Sequence, residues 1–369
     1  MSCIENRYTT ARKKQKMEIA SKSELLYQQL CRKIATMRDG TPFPTVRQLM
    51  AEFHVSQATV TPAIALLKER GLLESVPRQG MFVRRNRSGN APKILLFQPD
   101  WESPNLRHVQ RELELAAGRR NFDLETVFFD YREDVCAVLN RYSADLIVIN
   151  AITDDQLTPL QIMQITRAAA PVILSANAVP VKEIRYVCGD NVSGGALAAR
   201  HLAQLGHRRI GLLYCEPHIL AADSVARSFQ FTASTCGCDV TLLDCGMRPG
   251  DSPEPMIRRF ARAIRAGEYE FSALFAISDY GALKMLEELR VLRIGVPEEL
   301  SILGFGNVEM PGMEEIATID TSKRKLAEAV MEMAANILAG KTGFETQINI
   351  MPELVDRHSL RPLPVCNAV

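Results

Sequence analysis

The chain has 369 residues, of which 47% are hydrophobic and 24% charged, a composition that excludes a largely disordered, collagen-like or coiled-coil protein. At ~150 residues per domain it holds two or three units. With no apolar run near the ~18 residues of a membrane span and a polar, basic N-terminus, a cytoplasmic chain with no membrane partner is expected. The net charge of +1 hides an asymmetry, because residues 1–90 carry 16 Lys and Arg against 7 Asp and Glu, and the remainder 28 against 36. A basic module on an acidic body suits a nucleic-acid binder with a separate sensing or assembly domain.

Residues 1–20 read as a basic tail. Ser21-Lys-Ser-Glu24 then forms a capping box, and Leu26, Leu30, Ile34 and Met37 recur at helical spacing up to Asp39-Gly40. A second capping box, Thr45-Val-Arg-Gln48, opens a short helix with Val46, Leu49, Met50 and Phe53 on one face. Val55-Ser56 makes a tight turn, Ser56 caps a third helix with a Val60, Ile64 and Leu67 stripe, and Gly71 ends it. Two short alternating strands around Val76-Pro-Arg-Gln-Gly80 add a wing. Residues 21–85 therefore read as a winged helix-turn-helix, mainly α.

A helix after such a turn enters a major groove with its N-terminal side chains at base edges. Ser56, Gln57, Thr59 and Thr61 are the candidates there, and Gln57 is the base reader because its amide bonds adenine bidentately. Arg47, Arg78 and Gln79 address phosphates or the minor groove. The partner this implies is a double-stranded DNA operator.

Pro44-Thr-Val-Arg47-Gln-Leu49, Val55-Ser56-Gln-Ala-Thr59-Val60, Gly71-Leu72 and Gly80-Met-Phe-Val83 resemble the DNA-binding domain of the gluconate-repressor (GntR) family. The resemblance covers residues 23–84 and implies DNA contacts from Arg47, Thr59 and Gly80. Gln57 stands where that family usually has Arg, and Pro62 falls inside the recognition helix, removing a backbone bond to Ala58. Both departures point to an unusual operator.

Residues 86–92 read as a linker rich in turn formers. Beyond it, apolar runs at 94–97, 124–129, 146–149 and 172–174 alternate with helical stretches, the pattern of a buried parallel sheet. The alternation restarts with runs at 210–214, 240–243, 273–276 and 300–303, while a helix at 326–338 and a strand at 346–351 return to the first half. The fold class is thus α/β: a two-lobed domain over 93–362, lobe 1 at about 93–188 and 320–352, lobe 2 at about 189–317.

Ligands of open parallel sheets bind beyond the carboxyl ends of the strands. Those ends offer Asp100, Trp101, Asn150, Ser175 and Asn177 on one lobe, and Ser278, Asp279 and Asn307 on the other. Trp101, the sole tryptophan, is either a stacking platform for a planar ligand or a packed hinge residue. Asp190 and Asn191 read as helix capping, and His207 as structural.

Asp190-Asn191-x-x-Gly194-Gly195, His201-Leu202-x-x-x-Gly206-His207, Ser301-Ile-x-Gly304-Phe305, Thr318-Ile319-Asp320 and Pro352-Glu-Leu354-Val355-x-Arg357-x-Ser359 resemble the sensor domain of the lactose/galactose-repressor (LacI/GalR) family. That resemblance covers about residues 92–362. It implies a periplasmic-binding-protein-like fold, a homodimer, and a small effector, often a sugar, contacted by Arg227. Ser278 stands where that family usually has Asn and Gly306 where it usually has Asp. Losing a carboxylate removes acceptor oxygens, which speaks against a standard hexose.

No nucleophile elbow, phosphate-binding loop or paired-His metal motif is present. The scattered cysteines read as reduced core thiols, and Cys236-Gly-Cys238 lacks the partners a zinc site needs. No catalytic residue, metal or cofactor is expected. The sequence predicts a dimeric transcription regulator, most simply a repressor, whose operator affinity responds to an effector; the alternative is a constitutive DNA-binding regulator with a vestigial cleft.

Overall fold

The structure, a computed structural model, describes residues 23–363 apart from 24–25, 28, 31–32, 35–36, 38–39, 70–71, 77–79, 84–90, 102, 151–156, 176–177 and 180. The basic tail, the Ser21-to-Glu24 capping box, Gly71, the wing residues Arg78 and Gln79, and Asn177 therefore lie wholly or partly outside the described residues. The chain forms two compact units, residues 1–91 with 125–128, and residues 92–124 with 129–369.

In the first unit, helical backbone at residues 26–27, 29–30 and 33–34 buries Leu26, Leu30 and Ile34. Helix α1 (Val46–Phe53) starts at a complete capping box: Thr45 Oγ1 accepts from the Gln48 amide, and Gln48 Oε1 accepts from the Thr45 amide at 2.8 Å. It ends at His54, whose left-handed backbone turns the chain. Helix α2 (Gln57–Glu69) contains Pro62. Its Val60, Ile64 and Leu67 are buried against Leu49 of α1.

The wing has one strand more than the apolar pattern predicts. Pro42–Phe43 forms β1, which pairs antiparallel with β3 (Gly80–Val83), itself paired with β2 (Leu73–Val76). Prolines on both sides of Phe43 conceal a strand from any propensity argument. Burial of Phe43 in the helical core explains why the strand forms.

The second unit contains two six-stranded sheets. The first runs β14-β8-β7-β6-β4-β5, where β4 is Lys93–Pro99, β5 Asp123–Phe129, β6 Leu146–Ile149, β7 Val172–Leu174, β8 Arg185–Gly189 and β14 Gln347–Ile350. The second runs β10-β9-β11-β12-β13-β15, with β9 Arg209–Tyr214, β10 Asp239–Asp244, β11 Ala273–Ala276, β12 Ser301–Gly306, β13 Ala317–Asp320 and β15 Glu353–Val355. Central strands such as β6 and β11 are buried at every position, because helices cover both faces. Among the described residues, only β15 runs antiparallel to its neighbour in this sheet.

In both sheets the order reverses beside the first strand, between β4 and β6 and between β9 and β11. Such a reversal leaves a crevice at the carboxyl ends of the two strands. The chain crosses between the sheets three times: from β8 into helix α6 (Asn191–Gln204), from β13 into helix α10 (Lys323–Leu338), and from β14 to β15. Helix α10 packs its Leu326, Val330 and Met331 into the core of the first sheet. Helices α3 (Pro104–Arg119), α4 (Val135–Val138) and α5 (Pro159–Thr166) belong to that sheet; α7 (Leu220–Thr235), α8 (Glu254–Arg265) and α9 (Asp279–Val291) belong to the second.

Candidate nucleic-acid interface and ligand cleft

On the first unit, Arg47, Ser56, Gln57 and Thr61 are exposed. Gly80 opens β3 with φ +112°, a backbone conformation that side chains rarely adopt. Thr59 corrects the expectation of a base reader. It is 4% exposed, its hydroxyl lies 3.2 Å from that of Ser56, and it falls on the inward face with Val60 and Ala63. Packing of α2 against α1 turns Thr59 into the core, with its hydroxyl beside that of Ser56.

Between the two sheets of the second unit lies a cavity of about 190 Å³, below the ~300–1,000 Å³ of pockets for drug-sized molecules. Of the residues expected to bind an effector, Trp101, Asn150, Ser278 and Asp279 line it. Trp101 follows β4 and is held edge-on by Tyr131 at 5.6 Å. Asn150 follows β6 at the order reversal. Its Nδ2 donates to Gln98 Oε1 at 3.2 Å, its Oδ1 accepts from Ser175 Oγ at 3.2 Å, and Gln98 in turn donates to Gln110 at 3.0 Å. This buried chain of amides fixes the polar floor of the cleft.

Across the cleft, Ser278 caps α9 by accepting from the Gly281 amide. Asp279 is fully buried and its oxygens accept from Thr318 Oγ1 at 2.6 Å and from the Val308 amide at 2.7 Å. Burial pushes its carboxyl up, against these hydrogen bonds and the charges of Lys323 and Arg357. Asp279 is thus engaged inside the protein and holds the loop after β12.

Three expected ligand residues stand elsewhere. Asp100 is exposed at the end of β4, its amide donating to the Phe129 carbonyl. The Arg227 side chain is 79% exposed on α7 and pairs with Asp223 four residues before it, and it does not line the cavity. Asn307 accepts from Arg357 at 2.8 Å and lines a second, polar hollow that also includes His108 and Glu309.

Two ionisable cleft residues were missed in the sequence. Glu216 follows β9 at the second order reversal, and desolvation pushes its carboxyl up while the Ser278 hydroxyl opposes that shift. Its place just past an apolar strand was the available clue. Lys323, at the start of α10, is 5% exposed; burial depresses its ammonium to about 8. Nothing in the sequence around Lys323-Arg-Lys distinguishes this lysine from Lys325, which is exposed and paired with Glu353. Asp190 caps α6, and His207 is buried between Ser272 Oγ at 2.8 Å and the Arg361 carbonyl.

Residues 22–83 match the family described as bacterial regulatory proteins of the gntR family, and residues 199–360 match the periplasmic binding protein-like domain. The chain joins a GntR-type DNA-binding domain to a periplasmic-binding-protein-like domain. It is similar to the HTH-type transcriptional regulator DegA of Bacillus subtilis, 23% identical over 73% of this chain and 81% of that one. It is also similar to the transcriptional repressor PurR of Mannheimia succiniciproducens, 28% identical over 48% of this chain and 53% of the relative, so there it spans about half of the relative's length. Among solved structures, the LacI family regulator of Enterococcus faecium with bound ribose superposes with a TM-score of 0.61 and 20% identity, covering 73% of this chain and 99% of that one. The CelR–cellobiose complex superposes with a TM-score of 0.59 and 18% identity over 86% and 100%. These likenesses show the fold. With its relatives and its helix-turn-helix domain, the chain is a DNA-binding transcriptional regulator.

Proposed function

We propose that the regulator is a cytoplasmic homodimeric repressor in which residues 21–85 read operator half-sites and residues 93–362 sense a small effector between lobe 1, about 93–188 and 320–352, and lobe 2, about 189–317. The observation that carries this reading is the alignment of two order reversals, after β4/β6 and after β9/β11, on a single cavity. An effector that contacts both walls favours one lobe angle over the other, and three chain crossings form the hinge that transmits the choice. A coupling of ~1–3 kcal/mol changes operator affinity ~5–150-fold. Solved structures of the same fold that hold ribose and cellobiose support a hydroxylated ligand, and the small cavity favours one of monosaccharide size.

The test is operator selection from random duplexes with the full-length protein, followed by affinity measurements with a metabolite panel and by sedimentation to determine the assembly state. A palindromic site bound by a dimer, with affinity lowered many-fold by one compound, is the expected result. Tight operator binding that no compound alters would favour a constitutive regulator with an unused cleft. Turnover of a bound compound would be needed to argue for an enzyme.

A further inference from the structure

The cleft holds one ammonium that makes no ion pair among the described residues. Nζ of Lys323 donates to the Gly306 carbonyl and to Thr321 Oγ1 at 2.6 Å. Among the described residues it has no third acceptor and no ion pair. The carboxylates whose charge it feels are Asp279 and Asp320. Asp279 is directed to Thr318 and Val308, and Asp320 accepts from the Ser322 amide at 2.7 Å. Lys323 is nonetheless 5% exposed, and the same wall contains Phe305, Val308 and Leu326. Burying an ammonium among such groups with two neutral acceptors and no ion pair is costly. Its place in the first turn of α10 adds to the penalty, since the positive end of the helix dipole favours anions there.

Glu216 does not supply the missing charge. Removal from water pushes its carboxyl up, and its charge is not among those that Lys323 feels. The cleft therefore presents one buried cation, the carboxyl of Glu216, and the amide and hydroxyl of Asn150 and Ser175.

We propose that the effector is a small hydroxylated oxyanion, a carboxylate or phosphate compound of roughly monosaccharide size, whose anionic group is received by Lys323. This rests on the reading of the cleft as the effector site. Lys323 is then the residue that selects an acid over its neutral parent.

The full-length protein, Lys323→Met and Lys323→Arg are compared by thermal unfolding and calorimetric titration with six probes: glycerol, glycerate, glycerol 3-phosphate, D-glucose, D-gluconate and D-glucose 6-phosphate. At least one anionic probe is expected to raise the unfolding temperature of the parent when its neutral counterpart does not. Lys323→Met should bind that probe ~10-fold or more weakly, the loss of one charge-assisted hydrogen bond, while Lys323→Arg stays within a few-fold of the parent. Response to glycerate or gluconate alone names a carboxylate, and response to the phosphate esters alone names a phosphate. Equal binding of acid and neutral parent overturns the inference, as does unchanged acid binding by Lys323→Met. Should that variant fail to fold, the acid-against-neutral comparison in the parent still decides. A neutral compound bound in the cleft with no acid preference removes the oxyanion and leaves the effector reading standing. Silence from all six probes in protein that binds its operator also overturns the oxyanion, and the wider metabolite panel then tests the effector reading separately.

Discussion

Nε2 of His218 lies 3.1 Å from Oδ2 of Asp244, tying the loop after β9 to the end of edge strand β10. Nδ1 of the same ring lies 3.2 Å from Asp223, and the ring stacks on Tyr214 at 4.3 Å. Both ring nitrogens face carboxylates, an arrangement that the doubly protonated imidazolium satisfies. Glu216, Pro217 and Ile219, which flank this histidine, line the cleft.

Burial works against the charged ring, but the hydrogen bonds and charges of Asp223 and Asp244 outweigh it and hold His218 above its ordinary value. A raised folded-state value means that the stabilisation is complete below the unfolded value near 6.5 and fades as pH rises through the folded one. The unfolding temperature of the parent should therefore exceed that of His218→Gln at pH 6, and the gap should close above pH 8. Because the side chain is 52% exposed, screening keeps the gap small, within about 3 °C. A gap that widened toward high pH would contradict the clamp.

Asp279→Ala should be among the more damaging single changes. It leaves the Val308 amide and the Thr318 hydroxyl buried without their acceptor and removes a carboxylate that favours the Lys323 charge. A loss of about 3 kcal/mol in denaturant unfolding is expected. A neutral effect would show that the loop after β12 is held by other contacts.

Gly194 and Gly195 stand inside α6, where each glycine costs about 1 kcal/mol relative to alanine. Close packing accounts for both. A Cβ on Gly195 would run into the Val225 carbonyl and the Phe229 amide of α7, and one on Gly194 would meet the Phe305 ring. Gly195→Ala should destabilise by about 1–3 kcal/mol despite its better helix propensity, measured by chemical denaturation. Stabilisation would mean that α7 can yield.

On the DNA-binding unit, three substitutions should separate three roles. Arg47→Ala is expected to weaken binding to all duplexes alike and to lower the salt slope by about one, whereas Gln57→Ala should relax sequence preference by ~1–3 kcal/mol at one base pair. Thr59→Val should leave sequence preference unchanged, because the side chain is buried beside Ser56. Selection experiments on the three variants read these outcomes directly. A change of preferred base in Thr59→Val would put its hydroxyl at the DNA.

Local chemistry alone was enough for the helix-turn-helix and for the alternation of strand and helix. Thr45 and Gln48 carry their helix start in their own side chains, and runs such as Leu146–Ile149 are apolar throughout because helices cover both faces. The cleft floor was legible in the same way at Trp101 and Asn150, which follow recognisable strands. The tertiary structure alone placed β1, which exists because Phe43 completes a core built by distant helices, and β15, an antiparallel edge added after the third crossing. It alone turned Thr59 inward and Arg227 outward and carried Lys323 into the cleft while leaving Lys325 outside. The physical reason is common to all four residues: a side chain's type is local, but its surroundings depend on which distant segments the sheets and crossings bring against it.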